Sequence, residues 1–129
     1  MAADPTLLYK QSLLENAPPI KITRLLYEKA LTHLERARRV DPRTDSRVFN
    51  ESIGKADAIV VELRLSLDHT PAPDISGSLE KLYLFCEEQL MNAMAERSAE
   101  PLANAATVLS NLLGAWRAVE VQTQGGKAA

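Results

Sequence analysis

The sequence predicts an all-α protein, an antiparallel up-down four-helix bundle with an additional short N-terminal helical segment. Its prolines leave four long segments whose interiors contain none. In each segment, apolar residues recur at steps of three and four, the spacing of one helix face. The connections between the segments are short, which favours antiparallel neighbours. The seven prolines stand at positions 5, 18, 19, 42, 71, 73 and 101.

The size and composition of the chain are those of one globular domain. It has 129 residues, of which 46% are hydrophobic and 25% are charged. We expect this domain to comprise an N-terminal segment over 1–18, the bundle over 19–122 and a flexible tail over 123–129. The tail is predicted because Gly125 and Gly126 are expected to end the last helix.

The first two helices are predicted from proline placement and capping residues. The first covers about 20–40, because proline costs about 3 kcal/mol inside a helix but little in the first turn, where Pro19 would lie. The second covers about 46–68, with Thr44 or Asp45 as its N-terminal cap. Their apolar stripes are Ile22, Leu25, Leu26, Ala30, Leu34 and Ala37 in the first helix, and Phe49, Ile53, Ala56, Val60, Leu63 and Leu67 in the second.

The third and fourth helices follow from the same periodicity. The third is predicted to end near Arg97, and the fourth to cover about 102–121. Ser98 and Glu100 suit the start of the fourth helix, where an oxygen can accept a backbone N–H group and an acid favours the positive end of the dipole. The apolar stripes are Ile75, Leu79, Leu82, Cys86, Leu90 and Ala93 in the third helix, and Leu102, Ala106, Leu109, Leu112, Leu113 and Trp116 in the fourth.

Charge and hydropathy limit the partners and the compartment. The formal net charge is −2, far from the basic field that a phosphate backbone demands, so nucleic acid is not an expected partner. The longest uninterrupted apolar run is 82–86, whereas a membrane-spanning helix needs about 20 residues, and no membrane span is expected. Cys86 is the only cysteine, which excludes an intrachain disulfide and fits a reducing cytoplasm.

The sequence offers no catalytic, cofactor-binding or metal-binding residues. A di-iron bundle needs Glu three residues before His, but Ala30 precedes His33 and Ser66 precedes His69 at that distance. One cysteine and two separated histidines do not form a zinc site of usual spacing. One chemical alternative stays open, a histidine phosphotransfer bundle in which His33 carries the phosphate and Arg36 binds it. Apart from that alternative, we expect a protein that acts through its surfaces and is not an enzyme.

Four motifs in order resemble the FliS family over about residues 6–121. The first combines an N-terminal Tyr, a proline-marked helix start and a Leu-Leu-Tyr run; the second is Glu-Leu-x-x-Ser-Leu-Asp; the third is Leu-x-x-Leu-Tyr; the last is Leu-x-Ala-Trp. Pro18 departs from the family pattern, in which a Ser stands directly before the proline that corresponds to Pro19. The matching residues are Tyr9, Ala17, Pro19, Leu25, Leu26, Tyr27 and Ala30, then Glu62, Leu63, Ser66, Leu67 and Asp68, then Leu79, Leu82 and Tyr83, and finally Leu113, Ala115 and Trp116.

The resemblance implies a specific function. Members of the FliS family are four-helix bundles of the bacterial cytoplasm that bind the disordered C-terminal segment of flagellin and prevent its premature polymerisation. They deliver flagellin to the export gate of the flagellar type III secretion apparatus, without catalysis or a cofactor. The alternative is a helical-bundle adaptor or regulator of flagellar assembly that binds another partner, such as an anti-sigma factor or an assembly factor.

The resemblance also directs attention to apolar residues outside the core stripes. Some of these are expected to line surface grooves for a partner helix, although they could instead widen the core face. In the family, the N-terminal segment can cover the apolar site when cargo is absent. Leu7, Leu13 and Leu14 would serve such a lid here, and Tyr9 is its foremost candidate. The predicted partner-binding residues are Leu8, Tyr9, Tyr27, Leu31, Tyr83, Leu84 and Val108.

Overall fold

The computed structural model describes the backbone of residues 19–128 and the side chains of residues 20–121. Within this part of the chain, all regular structure is helical, in four elements: α1 (Pro19–Arg38), α2 (Ser46–Leu65), α3 (Pro73–Glu96) and α4 (Glu100–Ala128). This confirms the predicted all-α class and the four helices. The predicted segment 1–18 lies outside the described residues, so the proposed division of the chain stays a prediction.

The helices form a closed ring in cross-section. Helix α1 packs against α2 and α4, and α3 packs against the same two helices, so α1 and α3 lie diagonally across the bundle. The links are residues 39–45, 66–72 and 97–99. None of the described helices is both long enough and apolar enough to cross a membrane.

The helix ends differ from the prediction in two places. Helix α2 stops at Leu65, after which the backbone N–H of Ser66 donates to the carbonyl of Glu62 in a terminal turn. Helix α4 continues to Ala128, so the prediction that Gly125 and Gly126 end it was wrong. Glycine costs about 1 kcal/mol in a helix, which weakens a helix end without forbidding its continuation.

The two predicted caps have different outcomes. The Ser98 hydroxyl oxygen accepts the backbone N–H of Glu100 at 3.2 Å, as expected for the start of α4. Asp45 stands at the N-cap position of α2, but its side chain makes no capping hydrogen bond.

The core confirms the stripe of α2, in which Phe49, Ile53, Ala56 and Val60 are fully buried. In α1 and α3, the predicted stripe is buried from Ala30 and from Cys86 onward, but positions nearer the start of each helix differ. Leu25 of α1 is 42% exposed and Ile75 of α3 is 65% exposed, so both predicted core positions were wrong. Ile75 lies at the rim of an open pocket at the end of the bundle, where none of the described helices covers it. The buried set is Tyr27, Ala30, Leu34 and Ala37 in α1, Tyr83, Cys86, Leu90 and Ala93 in α3, and Leu102, Ala105, Leu109 and Leu113 in α4.

Arg97 provides a test of how α3 ends. It follows the last residue of α3 with φ 51° and ψ 51°, the left-handed conformation that glycine adopts at less cost than other residues. We expect Arg97→Gly to raise the free energy of unfolding by up to ~1 kcal/mol in urea titrations followed by circular dichroism. The matched control, Glu88→Gly at an exposed position inside the helix, should lower it by a similar amount. A loss of stability in Arg97→Gly would contradict the assigned conformation.

Candidate functional site

All four helices contribute to an open pocket at one end of the bundle, which we call the terminal pocket. Its volume is about 270 Å³. It lies where α2 ends and α3 begins, and Thr23, only four residues after the start of α1, forms part of its wall. The first turns of α1 therefore lie next to this pocket. The apolar lining consists of Leu63, Leu67, Pro71, Ala72, Ile75, Leu79 and the rings of Tyr83 and Trp116.

A buried pair of phenols lies beneath the terminal pocket. The hydroxyls of Tyr27 and Tyr83 are 2.5 Å apart and share one hydrogen bond, in which either oxygen can donate. The ring centroids are 6.3 Å apart and the ring planes are inclined by 46°. Burial raises the pKa of Tyr83, and Tyr27 raises it further. Burial also raises the pKa of Tyr27, against hydrogen bonds to Tyr83 and Trp116 that lower it. Both phenols are therefore neutral, and they join the diagonal helices α1 and α3.

This placement corrects one expectation. Tyr27 and Tyr83 were predicted to contact a partner in surface grooves, but they are 0% and 1% exposed. They belong to the core because each lies three residues before a buried stripe residue, Ala30 in α1 and Cys86 in α3, and so continues the buried face of its helix. Among the predicted partner-binding residues, these two contact a partner only if the end of the bundle opens; their role in binding stays a prediction.

Leu31 lies in a groove between α1 and α4. The groove has a volume of about 320 Å³, and Leu34 and Ala106 form its apolar walls. Leu31 itself is half-buried and packs against the core. Leu31 therefore lies at a surface groove, and its contact with a partner stays a prediction.

Helix α3 carries five of the nine large hydrophobic side chains that are exposed among the described residues. Leu84, a predicted partner-binding residue, is 47% exposed. Leu82 is exposed, so its predicted place in the core was wrong, and Phe85 and Met91, which the periodicity did not indicate, are exposed as well. Val108 of α4 is half-buried against the core. The missed signal was the number of apolar residues in α3, because one helix face cannot bury Leu82, Leu84, Phe85 and Met91 in addition to its core residues.

Ion pairs close the sides of the bundle around these apolar surfaces. Arg24 of α1 donates to the carboxylates of Glu28 and of Glu120 in α4, and Arg117 of α4 donates to Glu28 as well. Arg117 and Arg24 hold the pKa of Glu28 below its usual range. On the other side, the Arg64 guanidinium makes two hydrogen bonds to the Glu87 carboxylate, at 2.7 and 3.1 Å, which tie α2 to α3.

The described residues offer no arrangement for metal chemistry. Within 20–121, no group of three or more His, Cys, Asp or Glu side chains is placed to hold a metal ion. The single thiol, Cys86, is buried, and burial together with the charge of Glu87 raises its pKa to about 12. The predicted lid residues, Leu8 and Tyr9, lie outside the described residues.

Comparison with known proteins gives a consistent family. The family described as "Flagellar protein FliS" matches residues 2–123. The flagellar secretion chaperone FliS of Vibrio cholerae is 28% identical over 105 residues, which cover 81% of this chain and 77% of the relative. The corresponding proteins of Salmonella typhimurium and Bacillus subtilis are 26% identical over 110 residues and 25% identical over 114 residues. They match 84% and 88% of this chain and 82% and 84% of their own lengths.

A solved structure confirms the fold. The structure titled "Crystal structure of flagellar chaperone from bacteria" aligns with a TM-score of 0.75 and covers 92% of this chain and 99% of its own. The two sequences are 22% identical over the alignment. The bundle is therefore shared, although most of the aligned residues differ.

The buried thiol and phenols predict alkaline instability. In the unfolded chain, Cys86 and Tyr83 ionise near their ordinary pKa values, about 8.5 and 10, whereas the folded protein keeps both protons to higher pH. The protonated thiol and phenol contribute fully to the free energy of unfolding below the pKa values of the unfolded chain. This contribution is lost as pH rises from about 9 to 12. Urea titrations across this range should show the free energy of unfolding falling with pH.

The variant Cys86→Ala isolates the contribution of the thiol. It removes one proton of difference between the two states, so the slope should become shallower by up to ~1.4 kcal/mol per pH unit. The cavity it creates shifts the whole curve down and leaves its slope unaffected. An unchanged slope would mean that the thiol ionises equally in both states.

Proposed function

This chain belongs to the FliS family of flagellar secretion chaperones, and we propose that it is a flagellin chaperone of the bacterial cytoplasm. It binds the disordered C-terminal segment of flagellin, prevents premature polymerisation and presents the complex to a component of the flagellar type III export gate. Because the family is one of chaperones, the protein is not an enzyme. The structural observation that supports the proposal is the exposed apolar surface of α3, which lies outside the packed core.

The physical basis is that folding leaves apolar area available for binding. The core already contains buried residues from every helix. Leu84, Phe85 and Met91 lie outside it and are exposed, so they do not pack within the bundle as the core residues do. Burying apolar surface contributes about 25 cal/mol per Å², and a helical segment of flagellin laid along α3 would supply the missing cover. Ordering a disordered segment costs several kcal/mol, which favours an extended contact over a single pocket.

The grooves extend this contact around the bundle. The terminal pocket lies at one end of the bundle, and the groove at Leu31 lies between α1 and α4. The exposed residues of α3 lie on the helix diagonally opposite α1. A wrapped segment can use all three while the ion pairs at Arg24 and Arg64 keep the helices together. No catalytic step or cofactor enters this mechanism.

We further propose that residues 1–18 act as a lid over the terminal pocket when flagellin is absent. They immediately precede α1, whose residue Thr23 forms part of the pocket wall. Leu8 and Tyr9 supply apolar side chains that match its lining. A few such side chains contribute only a few kcal/mol, so the cargo can displace them.

A binding experiment tests the proposed cargo. Full-length flagellin from the same bacterium should bind, whereas flagellin without its C-terminal segment should not, in isothermal titration calorimetry. Leu84→Ser should weaken binding about tenfold, because it removes one partly exposed apolar contact. The matched control on the same helix, Lys81→Ser, should bind as the wild type does. Equal binding by truncated flagellin would contradict the proposal.

The lid is tested by the fluorescence of Trp116. This is the only tryptophan in the chain, and it lines the terminal pocket. Removing residues 1–18, or replacing Tyr9 by Ala, should increase quenching of Trp116 by acrylamide while circular dichroism keeps the helix content. The control within the same segment is Gln11→Ala, which should leave quenching unchanged. Quenching that is identical in all four proteins would place the segment elsewhere.

A further inference from the structure

A second groove, between α1 and α2, has a different chemistry from the apolar surfaces. Lys29 and His33 of α1 face Lys55 of α2 across a floor made by Ala58 and Ile59, in a groove of about 350 Å³. Arg36 continues the row on α1, since positions 29, 33 and 36 follow one helix face. We call this set the basic groove. It shares no residue with the terminal pocket or with the groove at Leu31.

The cations of the basic groove are not neutralised within the described part of the chain. Nearby carboxylates are engaged elsewhere: Glu28 pairs with Arg24 and Arg117, and Glu35 pairs with Arg38 and Arg39. Among residues 20–121, no carboxylate lies within 4.0 Å of the charged groups of Lys29, Arg36 or Lys55. The groove therefore concentrates positive charge in a protein whose net charge is −2.

The imidazole of His33 responds to this charge. Burial lowers its pKa, and Lys55, Lys29 and Arg36 lower it further. All of the charges that shift it are positive. His33 is therefore neutral at pH 7, and the four side chains form a site in which an anion would relieve repulsion between like charges.

We propose that the basic groove binds an acidic amphipathic helix of a partner protein, on a face separate from the flagellin surface proposed above. The half-exposed floor, Ala58 beside the buried Ile59, fits an apolar stripe, and the cations on both rims fit carboxylates. Lys29 and Arg36 are seven residues apart, roughly 10.5 Å along α1. The partner helix therefore carries acidic residues at i and i+7 on one flank and another acidic residue on the flank that meets Lys55.

The same geometry disfavours a nucleic acid. A phosphate backbone requires positive charge along a continuous track, but Glu62 follows Ala58 by one turn on α2, and Glu51 precedes Lys55 by one turn. The positive charge is thus confined to a short stretch of α2. An apolar floor also gives no advantage to a sugar-phosphate chain.

The test uses a fluorescein-labelled helical peptide of about 18 residues, with Leu and Ala on one stripe and Glu on the two flanks at the predicted spacing. A control peptide has the same composition, with its Glu residues moved to the face opposite the apolar stripe. Fluorescence anisotropy should show at least roughly tenfold tighter binding of the first peptide. Raising the salt from about 50 to 300 mM should weaken its binding.

Charge reversal locates the site on the protein. Lys29→Glu with Lys55→Glu should weaken peptide binding about tenfold, and both positions are exposed, so the fold should persist. Lys21→Glu with Lys81→Glu changes the net charge equally, and should leave the binding unchanged. Peptide-induced shifts of backbone amides in nuclear magnetic resonance spectra should concentrate on α1 and α2.

Four results would overturn the proposal. If the two double variants weaken peptide binding equally, or if the two peptides bind with equal affinity, the binding is general charge attraction and not specific to the basic groove. Tighter binding of a single-stranded oligonucleotide of about 18 nucleotides would assign the groove to nucleic acid. A dimer of the free protein that dissociates on reversal of Lys29 and Lys55 would assign it to a second copy of the chain. None of these measurements requires flagellin, so their failure leaves the proposed function unaffected.

Discussion

The structure depends on a contact between two phenols across the centre of the bundle. Tyr27 and Tyr83 come from the diagonal helices α1 and α3, and their shared hydrogen bond fixes how each helix is rotated. A buried hydroxyl without a partner is costly, so neither helix can turn without breaking this pair. The rotation places Leu25, Leu82 and Leu84 on the outside. The apolar side chains on the outside are thus a consequence of helix rotations that bury the two phenols and pair their hydroxyls.

The sequence predicted the fold well because proline position and apolar period are local signals. The stripe of α2 is confirmed from Phe49 to Leu63, and the starts of the helices lie within a few residues of the expected positions. The rotation of α1 and α3 could not be read in the same way. Tyrosine is amphipathic, and Leu26 and Tyr27 lie four and three residues before Ala30, so the period alone does not choose between them. The opposing phenol, 56 residues away, satisfies the buried hydroxyl of Tyr27, and this partner is visible only in the structure.

The candidate site was harder to predict for a chemical reason. Surfaces that bind an apolar segment and surfaces that form a core use the same apolar residue types. The sequence therefore does not show that Tyr83 is buried whereas its neighbour Leu84 is exposed. The family resemblance supplied the function that the residues alone did not. The basic groove depended instead on which carboxylates reach which cations, and these pairings between side chains are visible only in the structure.

Helices that lie diagonally also differ in charge. Helix α1 contains five basic and two acidic residues, whereas α3 contains one basic and five acidic residues. The bundle therefore has a permanent electric dipole across its width, despite its small net charge. In the field of a charged partner, such a molecule is turned before contact, which raises the rate of productive encounters more than their lifetime. Sequence changes that preserve the core can alter this orientation freely, since most of these charged groups stand outside the packed interior.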